Sequence, residues 1–149
     1  MTRATFEHDV ELSASPGRVF DFLVNVCNLK QVMPPSPRFE IVDAPPRLQL
    51  GTRFTATVHK FGLSRKIVSE VTWLEEGVGF TDIMLQGPFP TFEHTHRVEV
   101  IASGCRMSDR IVFAPPAGLL GWYLTEARIR RELTATFAFR DGRFRELFG

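Results

Sequence analysis

At 149 residues and 44% hydrophobic, the chain has the size of one ordinary domain with a full core, expected over residues 1–149. Eighteen basic against seventeen acidic side chains give a formal charge of +1, which argues against the broad basic footprint of a nucleic-acid binder. No apolar run approaches the ~20 residues of a bilayer span, so stable membrane insertion is not expected.

The opening residues Met1 to Asp9 lack the apolar centre of a signal peptide and carry acids that a transit peptide avoids. Cys27 and Cys105 stand apart without a CxxC spacing, so no thiolate zinc site is expected. There is no phosphate-cradling Gly-rich loop, GxSxG or HExxH, and no cofactor is assigned. The plain expectation is a protein of the reducing cytoplasm. Fourteen phenylalanines against one tyrosine and two tryptophans predict a ring-lined interior with few donors of its own.

Phe6, His8, Val10 and Leu12 alternate with Glu7, Asp9 and Glu11, the pattern of a half-buried strand. Ser15-Pro16 supplies an N-cap and a proline at the first helical position. Val19, Phe20, Leu23 and Val26 form the stripe of a helix ending near Asn28. A second helical turn is expected over Leu29 to Met33, closed by Pro34, Pro35 and Pro37.

Phe39 to Val42 reads as a short strand, and Phe54, Ala56 and Val58 as another. A turn at Phe61 to Ser64 leads into Ile67, Val71 and Trp73. Glu76-Gly77 turns into Val78 to Gln86, and Gly87-Pro88-Phe89-Pro90 into the next strand.

That strand carries chemistry. In Phe92-x-His94-x-His96-x-Val98-x-Val100 the even positions are apolar except for two histidines, while Glu93, Thr95, Arg97 and Glu99 read as solvated. After the Ser103-Gly104 turn, Cys105, Met107, Asp109, Ile111 and Phe113 form another core face, this time with a carboxylate in it. Side chains two apart share one face of a strand, so His94, His96 and Asp109 should point inward. Buried polar groups need partners, water, a ligand or a task.

Beyond Pro115-Pro116 the period changes. Trp122, Ile129, Leu133, Phe137, Phe144 and Phe148 share one side of a helical wheel, predicting a long amphipathic C-terminal helix. Asp141-Gly142 is the expected place for a kink or interruption. Arg128, Arg131, Arg140, Arg143 and Arg145 read mostly as its solvated face.

The order of strand, short helices, six antiparallel strands and long C-terminal helix resembles the helix-grip fold of the START-like (SRPBCC) superfamily. So do the local marks Ala14-Ser15-Pro16-x-x-Val19-Phe20-Asp21-Phe22-Leu23 and Pro-Pro-x-Leu-x-x-Gly-Thr at Pro45 to Thr52. The series Phe80-x-Asp82, Gly87-Pro88-Phe89, His94-x-His96, Asp109-Arg110 and Pro116-x-Gly118 is similar to a bacterial polyketide cyclase/dehydrase-like branch. The resemblance implies an α+β fold, a seven-stranded curved antiparallel sheet wrapped around the C-terminal helix, with two short helices after the first strand. It also implies an apolar ligand held between sheet and helix.

In that arrangement the first strand pairs with the last, bringing His8, Asp109, His94 and His96 onto one concave face. Phe54, Val58, Trp73, Met84, Phe92 and Met107 would line the cavity from the strands. Trp122, Ile129 and Leu133 would line it from the helix, with Glu126 and Arg130 as an ion pair at its mouth. Asp82 is assigned to the same site, although Ile83 and Leu85 on the other parity leave its face undecided by alternation. His59 reads as a surface residue.

Three readings of the inward cluster compete. The groups satisfy one another by hydrogen bonding; or they anchor the polar end of a small hydrophobic ligand; or His94 or His96, oriented by Asp109, performs the acid–base chemistry of a cyclase or dehydratase. His-x-His with a carboxylate also matches zinc chemistry, but the pattern is loose and no metal is assigned. A protein- or membrane-surface interaction module is a further class, and homodimerisation is left open.

Overall fold

The computed structural model describes residues 2–60 and 62–149. Strand β1 (Ala4–Leu12) is followed by helix α1 (Pro16–Val24) and a 3₁₀ turn (Val26–Gln31). Strands β2 (Arg38–Asp43), β3 (Arg53–Lys60), β4 (Leu63–Glu75), β5 (Gly79–Gln86), β6 (Thr91–Ile101) and β7 (Gly104–Ala114) come next. Helices α2 (Gly118–Tyr123) and α3 (Glu126–Phe148) complete the chain. Phe61, at the expected turn into β4, lies outside the described residues.

The strands form one antiparallel sheet in the order β1-β7-β6-β5-β4-β3-β2. The expected curved seven-stranded helix-grip architecture is what the structure shows. Among the described residues, no helix is long and apolar enough to cross a membrane.

Capping residues fix the helix boundaries. Ser15 Oγ accepts from Arg18 N at the start of α1. At its end, Asn25 adopts extended backbone and its side chain accepts from Cys27 N, opening the 3₁₀ turn. The helix therefore stops short of Asn28, and the second turn begins three residues earlier than expected.

Thr125 repeats the device, accepting from Arg128 N to start α3. Trp122 consequently falls in the separate helix α2 and is 86% exposed. Nor is α3 broken at Asp141-Gly142. Phe137 and Phe144, on either side, are buried in the core and hold the helix through that point. Its end is pinned to the loop after β1, where Ala14 N donates to Phe148 O at 3.1 Å.

The core has two parts. One packs Val19, Phe20 and Val24 of α1 with Leu12, Met107 and Phe144. The other packs Phe6, Ile111 and Phe113 of the sheet with Ile129 and Phe137 of α3. Phenylalanine rings make up half of the second part, while aliphatic side chains predominate in the first.

Candidate functional site

Sheet register assembles the polar cluster. His96 sits opposite Asp109 on β7 and Phe80 on β5, while His94 sits opposite Asp82. All four polar side chains therefore belong to the concave face. The rings of His94 and His96 stack with centroids 3.7 Å apart, and Phe80 stacks on the other side of His96 at 4.3 Å. His94 Nε2 donates to Asp109 Oδ1 at 2.7 Å, and His96 Nε2 donates to Asp82 Oδ2 at 3.1 Å. His96 Nδ1 also lies 3.3 Å from Asp109 Oδ1, but makes no hydrogen bond there.

Burial and pairing divide the charge unequally. Burial, with the neighbouring His96, pulls the His94 pKa below its ordinary value. Burial also opposes charge on His96, yet contacts to Asp109 and Asp82 outweigh it and hold its pKa above the usual histidine value. Asp109, with a side chain only 1% exposed, is likewise opposed by burial. His94 and His96 overcome that cost and keep it far below the ordinary carboxylate range. The two stacked imidazoles are thus shifted in opposite directions, with a carboxylate beneath both.

Above the cluster lies a cavity of about 260 Å³ between the sheet and α3, walled mainly by apolar side chains. Of the expected residues, Phe54, Asp82, Met84, Phe92, His94, His96 and Leu133 line it. Asp82 is thereby placed inward, opposite Val71 and His94. Asp109 supports the floor from behind the histidines. Phe22 and Leu29, from α1 and the 3₁₀ turn, and Phe89 from the β5–β6 loop complete the rim.

Other expected residues lie elsewhere. A β-bulge between Val71 and Trp73 inserts Thr72 and reverses the alternation, so Trp73 faces the convex side beneath the Arg97 guanidinium, 5.1 Å from its ring. Val58 is half-buried towards the sheet edge, beyond the cavity wall. Met107 is sealed in the α1 side of the core, and Ile129 in the other part.

Trp122 is on the surface because α3 begins after it. Glu126 and Arg130 do pair, at 3.0 Å, but on the exposed flank of α3, where Arg130 Nη1 also donates to Thr5 O. His8 is opposite Asp109 in register, yet its Nε2 turns to Asp141 on α3, 2.8 and 2.9 Å from the two carboxylate oxygens. His59, half-buried, contacts Ser64 and Glu40.

One buried, cavity-lining residue stands where a solvated face was expected. Arg140 is 4% exposed and lines the cavity, with its guanidinium over the Phe137 and Phe144 rings at 5.0 and 5.6 Å. Its Nε and Nη2 have no hydrogen-bond partner among the described residues. Burial pulls its pKa down, while Asp109 and Asp141 pull it up. The signal was present: Arg140 is three residues after Phe137 and four before Phe144, on their helical face.

A family described as polyketide cyclase/dehydrase and lipid transport matches residues 3–139. The chain belongs to this family. Its solved structural relatives share the helix-grip fold at low sequence identity. Protein CV1439 from Chromobacterium violaceum aligns at TM-score 0.75 with 14% identity, over 97% of this chain and 96% of that one. Protein Ms6760 from Mycobacterium smegmatis aligns at 0.71 with 16% identity, over 97% and 90%. Ara h 8.0201 aligns at 0.64 with 16% identity, over 96% and 98%. No curated protein matches the sequence. Family and fold together support a ligand-binding role for the cavity.

Proposed function

We propose that this family member acts, as a single cytoplasmic domain, to bind or carry a small hydrophobic molecule of lipid, polyketide-like or aromatic type. The carrying observation is the apolar cavity that ends on His94, His96 and Asp82. Apolar walls supply affinity, and a few convergent polar groups orient a carbonyl or hydroxyl of the ligand. Native mass spectrometry of the purified chain, repeated after denaturation, tests this. An organic mass lost on denaturation is expected. A bare mass, together with no binding of the fluorescent probe 1-anilinonaphthalene-8-sulfonate, removes the reading.

The short His94–Asp109 hydrogen bond at the cavity floor favours a second reading, acid–base chemistry of the cyclase/dehydratase type. Here His94 would take a proton beside a ligand carbonyl, with Asp109 holding the ring. Unchanged turnover of a β-keto substrate by a His94→Asn variant would take that histidine out of the reaction.

A further inference from the structure

We infer that Asp82, His94 and His96 form a binding site for one divalent transition-metal ion of the zinc type, with Asp109 as its supporting carboxylate. One ligand atom from each of the three residues lies within 4.8 Å of the others. The side chains are 16%, 12% and 10% exposed, so these are buried donors rather than a surface scatter. Two imidazoles and one carboxylate on one face are a set that suits zinc or iron, and that magnesium or calcium does not favour.

The geometry is close to closure. Bonds of ~2.1 Å to a tetrahedral Zn²⁺ set ligand atoms about 3.4 Å apart. The His96 Nε2 to Asp82 Oδ2 distance is 3.1 Å, so an ion replacing the proton between them needs only a small opening of the pair. His94 is stacked on His96 with ring centroids 3.7 Å apart, and a ligand atom of its ring lies within 4.8 Å of those of Asp82 and His96.

The surroundings are those of a supported metal site. Asp109 Oδ1 touches a nitrogen of each imidazole, at 2.7 and 3.3 Å. A carboxylate behind a ligating histidine fixes ring orientation and raises its basicity. Asp109 Oδ2 and His96 Nδ1 are buried with no hydrogen-bond partner among the described residues, which leave the cluster incompletely satisfied.

Asp82, His94 and His96 all line the apolar cavity, so an oxygen atom of a bound molecule could reach an ion held by them. The inference does not rest on the ligand reading, because metal binding is measured with no organic molecule present.

The test uses the full chain, stripped with a chelator and titrated with Zn²⁺ by calorimetry. One ion per chain is expected, with loss of most of the affinity in Asp82→Asn and His94→Asn and none in the control variant His59→Asn, outside the cavity. Asp109→Asn is expected to weaken binding by about 10–100-fold. The wild-type ¹⁵N imidazole spectrum provides a readout that needs no variant to fold: the His94 and His96 resonances move on Zn²⁺ addition and those of His59 do not. Absence of stoichiometric Zn²⁺ binding overturns the inference. So does binding that Asp82→Asn and His94→Asn leave intact, or that shifts only His8 or His59.

Discussion

Phe137→Ala probes the contact between α3 and the cluster most directly. The ring is 2% exposed and packs 5.5 Å from Phe6, 5.2 Å from the His8 ring and edge-on to His94 at 6.1 Å. Arg140 lies over its face. Truncating a buried phenylalanine costs about 3–5 kcal/mol. Phe137 already borders open space, so one side of the ring has few contacts to lose, which sets the packing loss near ~3 kcal/mol. Removing the face beneath a desolvated guanidinium adds about 1 kcal/mol. The expected total is about 4 kcal/mol, or roughly a 10 °C fall in Tm for a chain of this size. Urea unfolding, read as a shifted midpoint at constant slope, gives the stability change. The cavity should also widen, so 1-anilinonaphthalene-8-sulfonate binds the variant more tightly. A loss under about 1.5 kcal/mol, less than half the usual cost of such a truncation, with probe binding unchanged, would refute the placement of this ring between helix and cavity.

Arg140→Met replaces a buried cation that has unused donors with an apolar chain of similar length. Stability is expected to hold or rise by about 1–2 kcal/mol, because removing its desolvation offsets the lost attraction to Asp109 and Asp141. A loss above about 2 kcal/mol in thermal melts would show that the guanidinium is better compensated than its geometry indicates. Gly79→Ala would place a Cβ 2.2 Å from the His96 carbonyl oxygen, a backbone atom that cannot step aside. The expected cost is about 3 kcal/mol by denaturant unfolding, with displaced amide resonances around His96; a neutral variant would contradict the strand spacing. Trp122→Ala should change stability by no more than about 0.5 kcal/mol, since the side chain is 86% exposed; a larger loss would place it in a packed contact.

The fold was legible because its elements follow simple periods. Alternation marked β1, β3, β6 and β7, turn residues bounded β2, β4 and β5, and the step of three or four marked α3. What alternation could not carry was an inserted residue: the bulge before Trp73 turns that ring to the convex face without any mark in the local pattern. Helix boundaries moved for a related reason. Asn25 and Thr125 cap through their side chains, and each overrides an apolar stripe that continues past it.

The candidate site divides along the same line. His94, His96 and Asp109 were readable as inward because they interrupt apolar runs at the right parity, and β6–β7 pairing then joins them. Asp82 needed the register of β5 against β6, which no local pattern contains. His8 pairs with Asp141 across 133 residues, a contact set by how α3 lies on β1. Arg140 is the instructive miss. Its spacing from Phe137 and Phe144 places it on the buried face, whereas an arginine's charge favours solvent. A charged residue at a core step of a helix that closes over a cavity carries the same meaning as a histidine at a core step of a strand. Both are polar groups held in the interior at a desolvation cost, and here the fold brings them to the lining of one cavity.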